Sequence, residues 1–133
     1  MYSYSQKSLD TLATCHVPLQ RIFKKVIEVC DTTIITGHRD AQMQDEAYRT
    51  GHSKVQWPNS KHNSLPSLAV DAAPYPIDWN DRERFSLFAG LVMGIASEMG
   101  YLVRWGGDWD MDWRVRDNSF DDLVHFELVL PND

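Results

Sequence analysis

Leu19, Ile22, Phe23, Val26 and Val29 recur at helical spacing, with Arg21, Lys24, Lys25 and Glu28 between them. The pattern predicts an amphipathic helix entered at Pro18. Upstream, Leu9, Leu12 and Ala13 share one face of a shorter helix for which Ser8 is a suitable cap. The run TTIITG, Thr32 to Gly37, is short and β-branched and reads as a strand that ends at the glycine. Ala41 to Arg49 favours a helix stopped at Gly51, and 52–59 a surface loop. Leu68 to Ala72 is a second strand, which Pro74 and Pro76 forbid from continuing. Asn80 followed by Glu83 marks a helix start, and Phe85, Phe88, Ala89, Val92, Ile95, Ala96 and Met99 line one face up to Gly100. Tyr101 to Trp105 and Val124 to Leu130 are further strands, separated by GGDWDMDW, a stretch too rich in glycine and aspartate for regular structure. Helices first, then short strands with one long helix crossing between them, predict an α+β domain with a small, mainly antiparallel sheet covered by helices.

Length and composition narrow the possibilities. The 133 residues suffice for one domain, 1–133, and are too few for two ordinary ones. A net charge of -6, with no Lys/Arg cluster interleaved with aromatics, argues against nucleic-acid binding. No apolar run approaches the length of a membrane span, so no membrane insertion is expected, and MYSYSQKSLD lacks the regions of a signal peptide. The expected starting compartment is therefore a cytoplasm. Cys15 and Cys30 have no metal-knuckle spacing and read as packing thiols.

Chemistry concentrates between Ser60 and Trp79. There His62 precedes a polar turn, and Asp71 stands alone in the apolar run SLAVDAAP. A buried carboxylate needs a cation, a metal or strong donors. His125, inside the strand-like FDDLVHFELVL, supplies a second imidazole, and two histidines with one aspartate are a donor set for zinc that leaves a position for water. Each residue also has an ordinary role open to it: a solvated His62, an Asp71 paired with Arg or Lys, a His125 bonded to a backbone carbonyl. Asp122, three residues before His125, is the candidate general base, with Asp121 as its rival. Glu127 is placed to orient His125 or to stay solvated. Arg39, just past a strand end, is suited to a substrate carboxylate or an oxyanion, and equally to a salt bridge with Asp71. Gln44 belongs to the same cleft or to solvent. Trp105 and Trp109 are candidates for a cleft wall or for core. The DWDMD alternation invites calcium, but lacks the glycine and terminal glutamate of the twelve-residue calcium loop in register.

Three motifs in order, GHRDAQMQ, SKHNSLPSLAVD and DLVHFEL, resemble the D-Ala-D-Ala carboxypeptidase and L-alanyl-D-glutamate endopeptidase family of zinc peptidases, and above all its small phage endolysins. That family shares a fold core with lysostaphin-like peptidases and the hedgehog signalling domain. The resemblance runs from about Ile34 to Leu128. It implies one zinc ion per chain on His62, Asp71 and His125, Asp122 as catalytic base, and Arg39 on the scissile carbonyl or a substrate carboxylate. Ser60 matches the family's SxH. The spacer between His62 and Asp71 is longer here than is common, and carries Leu65 and Pro66. The implied activity is cleavage of the peptidoglycan stem peptide at the L-alanyl-D-glutamate bond, by a monomeric endolysin that waits in the host cytoplasm until released to the periplasm or wall. A D-Ala-D-Ala carboxypeptidase and a non-catalytic, zinc-containing wall-binding module are the alternatives.

Overall fold

The computed structural model describes residues 1–115 and 120–131. In chain order they form helix α1 (Gln6–Leu12), helix α2 (Val17–Val29), strand β1 (Thr32–Thr36), helix α3 (Ala41–Arg49), a 3-10 turn (Lys61–Asn63), strand β2 (Ala69–Pro74), helix α4 (Arg82–Glu98), strand β3 (Leu102–Trp105) and strand β4 (His125–Val129). The strands make one antiparallel sheet in the order β1-β2-β4-β3. This is the α+β architecture expected from the apolar pattern. Among the described residues no helix is long and apolar enough to cross a membrane.

Strand alternation divides the sheet into two faces. Val70, Ala72, Val103, Trp105, Phe126 and Leu128 belong to the core, together with Leu19, Ile22, Phe23 and Val26 of α2 and Phe88, Ala89, Val92 and Ala96 of α4. Phe126 is central to it, with the rings of Phe23 and Phe88 meeting it edge-on at centroid distances of 5.9 and 6.0 Å. The intervening residues Asp71, His125, Glu127 and Arg104 fall on the other face. There Asp71 pairs directly with His125, and Glu127 with Arg104. The apolar core thus holds a row of polar side chains in register across three strands.

Several boundaries differ from the sequence expectation. Ser5, rather than Ser8, caps α1; Ser8 is buried, and its hydroxyl accepts the Ile34 N–H at 3.1 Å, tying the helix to β1. Ile27 is inside and Val29 is 62% exposed, because the buried face of α2 continues from Phe23 to the position four residues on. Strand β2 runs through Pro74, which stands opposite Thr32 at the strand's end; the next N–H, that of Tyr75, goes to Asp31 O. Asp81, rather than Asn80, caps α4 by accepting the Arg84 N–H at 3.1 Å. Cys15 and Cys30 are free thiols, and burial first of all pushes the Cys15 thiol up to about 12.

Candidate active site

A capping box sets His62. The Ser60 hydroxyl accepts the His62 N–H at 3.2 Å, and Asn63 Oδ1 accepts the Ser60 N–H at 2.9 Å. His62 Nδ1 lies 2.7 Å from Gly37 O. A carbonyl only accepts, so Nδ1 carries the proton and Nε2 is left to face Asp71 Oδ1 at 3.2 Å. Gly37 is required at that bend, since a Cβ there would run into Thr14 and Thr11. On β4 the same logic applies in mirror form. His125 Nε2 donates to Glu127 Oε1 at 2.8 Å, which leaves Nδ1 facing the same Asp71 Oδ1 at 3.4 Å. The other Asp71 oxygen, Oδ2, accepts from Arg39 Nη2 at 3.1 Å.

Asp71 Oδ1, His62 Nε2 and His125 Nδ1 thus converge, and the donor atoms of the three residues lie within 4.8 Å of one another. The three form a group able to hold a metal ion. Bonds of ~2.0–2.1 Å in a tetrahedral site put neighbouring ligand atoms about 3.3–3.4 Å apart. The observed 3.2 and 3.4 Å match that edge. Both histidines are oriented by acceptors behind them, as ligand imidazoles require. The residues present therefore fit a divalent cation with borderline nitrogen and oxygen preference.

Burial by itself would raise the Asp71 carboxyl, but His62 and then His125 outweigh it and hold the group well below the usual carboxylate range. Burial also disfavours a charged His125, yet its bonds to Asp71 and Glu127 prevail and lift it from 6.5 to about 9. The Asp122 carboxyl moves the other way, raised by burial and then by the nearby charge of Asp71. Glu127 is lowered, the hydrogen bond from His125 overcoming its burial.

His62, Asp122, His125 and Glu127 border a cleft of about 570 Å³ whose lining also includes Arg39, Lys54 and Trp109. Asp122 is held at its rim by backbone bonds, donating to Gly106 O at 2.8 Å and accepting from His125 N at 3.1 Å. Arg39 makes the salt bridge to Asp71 considered as its ordinary role, and it also lines the cleft. Gln44 is fully buried: its Nε2 donates to Ser53 Oγ and Val55 O, and its Oε1 accepts from Asn63 and Arg39. Trp109 tilts against the His125 ring at 5.2 Å and donates to Phe120 O. Trp105 belongs to the core instead, its indole N–H on Leu123 O and its ring packed beneath Gly107, because strand alternation turns it to the helical face. Asp121 pairs with Arg82, away from the ligand group. The longer spacer is absorbed outward, Leu65 being 69% exposed. Asp108, Asp110 and Asp112 form a second acidic group, in which the Asp108 carboxylate accepts the Asp112 and Trp113 N–H groups. Sequence reading missed Arg104, Asn63 and Lys54. Only Asn63 left a signal, as the partner of Ser60 at capping-box spacing.

The model of the family described as phage L-alanyl-D-glutamate peptidase matches residues 1–129. The L-alanyl-D-glutamate peptidase of Escherichia phage T5 is 30% identical over 137 residues, covering 96% of this chain and 98% of that one. The crystal structure of Serratia marcescens L-Ala D-Glu endopeptidase ChiX superposes with a TM-score of 0.73 at 26% identity, over 96% of this chain and 90% of that one.

Proposed function

Because the chain belongs to the phage L-alanyl-D-glutamate peptidase family, we propose that it is a zinc-dependent peptidoglycan endopeptidase that cuts the L-alanyl-D-glutamate bond of the stem peptide, acting as the endolysin of a phage or prophage. The observation that carries this reading is the convergence of His62, Asp71 and His125 on one point of a cleft that Asp122 also lines. In this reading the three residues hold one zinc ion. When bound there, zinc supplies Lewis acidity, polarising the scissile carbonyl and lowering the pKa of the attacking water.

The protein's own groups do the rest. Asp122, with its raised pKa, takes a proton from the attacking water and returns it to the leaving amine of the glutamate. Arg39 lines the cleft while anchored to Asp71 and Gln44, and its fixed positive charge stabilises the oxyanion that develops on the alanine carbonyl. Glu127 and Gly37 O keep the two imidazoles in the tautomers that leave a lone pair for the ion. The enzyme acts as a monomer, outside the cytoplasm in which it is made.

The test is digestion of purified peptidoglycan with and without a zinc chelator, with the fragments read by mass spectrometry. New L-alanine carboxyl and D-glutamate amino termini are expected, abolished by the chelator and restored by zinc. Release of free D-alanine alone would make the protein a carboxypeptidase, and no cleavage by a zinc-loaded chain would make it a binding module.

A further inference from the structure

Lys54 lies on the cleft wall, in the 52–59 segment, and no step above uses it. Its backbone is pinned from both sides, because the buried Gln44 amide donates to Ser53 Oγ at 2.9 Å and to Val55 O at 2.8 Å. The other end of the same Gln44 side chain accepts from Arg39 and Asn63, so the segment is tied to the site that holds Arg39 and His62. The Lys54 ammonium extends over the Phe120 ring, 5.1 Å from its centroid. An aromatic face orients a cation while leaving it able to take an anion. Among the described residues no carboxylate pairs with Lys54, whereas Arg39 is paired with Asp71 and assigned to the oxyanion in the mechanism above, and Lys61 also has a partner.

A glutamate acylated by alanine has two carboxyl groups. A chain that continues uses one of them, and the other is an anion unless it is amidated. The leaving amine belongs to that same glutamate, and in the mechanism above it takes its proton from Asp122. The glutamate therefore lies on the Asp122 side of the cleft, where Phe120, two residues before Asp122, carries the Lys54 ammonium. We propose that Lys54 binds the free carboxylate of the substrate's glutamate residue and sets a preference for the acid over its amide. The assignment rests on the peptidase reading given above.

The experiment compares two soluble stem-peptide fragments, one with the free carboxyl and one with that carboxyl as an amide, on zinc-loaded wild type, Lys54→Met and Lys54→Arg. Wild type is expected to favour the acid by about ten- to hundredfold in kcat/KM, as a charged hydrogen bond in a partly exposed cleft allows. In Lys54→Met the preference collapses toward unity through a higher KM for the acid alone, with the amide cleaved as before. Lys54→Arg retains the preference. Equal cleavage of the two fragments by wild type, or an undiminished preference in Lys54→Met, overturns the role of Lys54 while leaving the peptidase intact. Cleavage of neither fragment by wild type removes the peptidase reading, and the role of Lys54 with it.

Discussion

Glu127 accepts the Nε2–H of His125 at 2.8 Å, and its other oxygen accepts from Arg104 at 3.1 and 3.3 Å. This relationship decides which nitrogen of His125 faces Asp71. It also explains how a glutamate can be buried on a sheet face, since its charge is shared between a cation and an imidazole. In Glu127→Ala the imidazole loses its orienting acceptor and Arg104 loses its partner. Zinc affinity is expected to fall by about 10- to 100-fold, measured by competition with a chromophoric chelator. Unchanged affinity would mean that packing against Trp109 alone orients the ring.

Asp122 and His125 separate chemistry from metal binding. Asp122→Asn should still bind one zinc ion per chain and lose about 10²- to 10⁴-fold in kcat. His125→Ala should lose both properties. Because burial and the charge of Asp71 raise the Asp122 carboxyl, the acid limb of the wild-type kcat profile should lie above the ordinary aspartate value of 3.8. Metal content by atomic emission, beside turnover on peptidoglycan, distinguishes these outcomes; an active Asp122→Asn would remove the assignment of the base.

Gln44 is a structural clasp under the site. Its side chain serves Ser53, Val55, Asn63 and Arg39 at once. Gln44→Ala leaves several of those groups unpaired in a buried setting and should cost roughly 2–4 kcal/mol of folding stability, read by denaturant unfolding. Gln44→Glu tests the polarity of the clasp. It replaces a donor to Val55 O with a second acceptor, and should destabilise even though it adds a charge beside Arg39.

Much of the site was legible in the sequence because its residues break local rules. Asp71 interrupts an apolar strand, His125 alternates with apolar neighbours, and Arg39 follows a strand end. What was not legible depends on pairing between distant strands. Arg104 looks like an ordinary strand charge until β3 is known to lie beside β4, which brings it to Glu127. Gln44 sits among polar helix residues, and only the folding of the 52–59 segment over α3 buries it. Trp105 and Trp109 come from one aromatic stretch, yet strand alternation sends the first to the core and the loop sends the second to the cleft. The caps of α1 and α4 were misplaced because Ser5 and Ser8, or Asn80 and Asp81, are chemically near-equivalent caps.

Gly106 carries a prediction about positioning. A Cβ at this residue would run into the carbonyl of Asp122, whose N–H donates to Gly106 O. Gly106→Ala should therefore displace Asp122 without removing any ligand donor. The expected signature is zinc affinity close to wild type with kcat lowered by about 10²-fold, as a shift of roughly 1 Å at a catalytic group produces. Loss of zinc and activity together would instead mean that the displacement propagates along β4 to His125.

The charge around Asp71 yields a pH dependence of stability that is expected in metal-free protein and absent from metal-loaded protein. Asp71 Oδ1 only accepts, so without an ion His125 Nδ1 approaches it as an N–H donor, consistent with the rise of His125 to about 9. A folded-state pKa above the unfolded 6.5 means that the stabilisation is fully present below pH 6.5 and is lost as pH rises through about 9. For Asp71, held below its unfolded 3.8, the contribution is present above that value and lost on acidification. Metal-free protein should thus lose on the order of 2–3 kcal/mol between pH 6.5 and 9.5. Zinc-loaded protein, whose His125 is already neutral, should lose none of this. Zinc binding at pH 7 should accordingly release protons, seen as calorimetric heats that scale with the ionisation enthalpy of the buffer. A metal-free protein as stable at pH 9.5 as at pH 6.5 would show that His125 is neutral without the ion and that the site is preformed rather than proton-held.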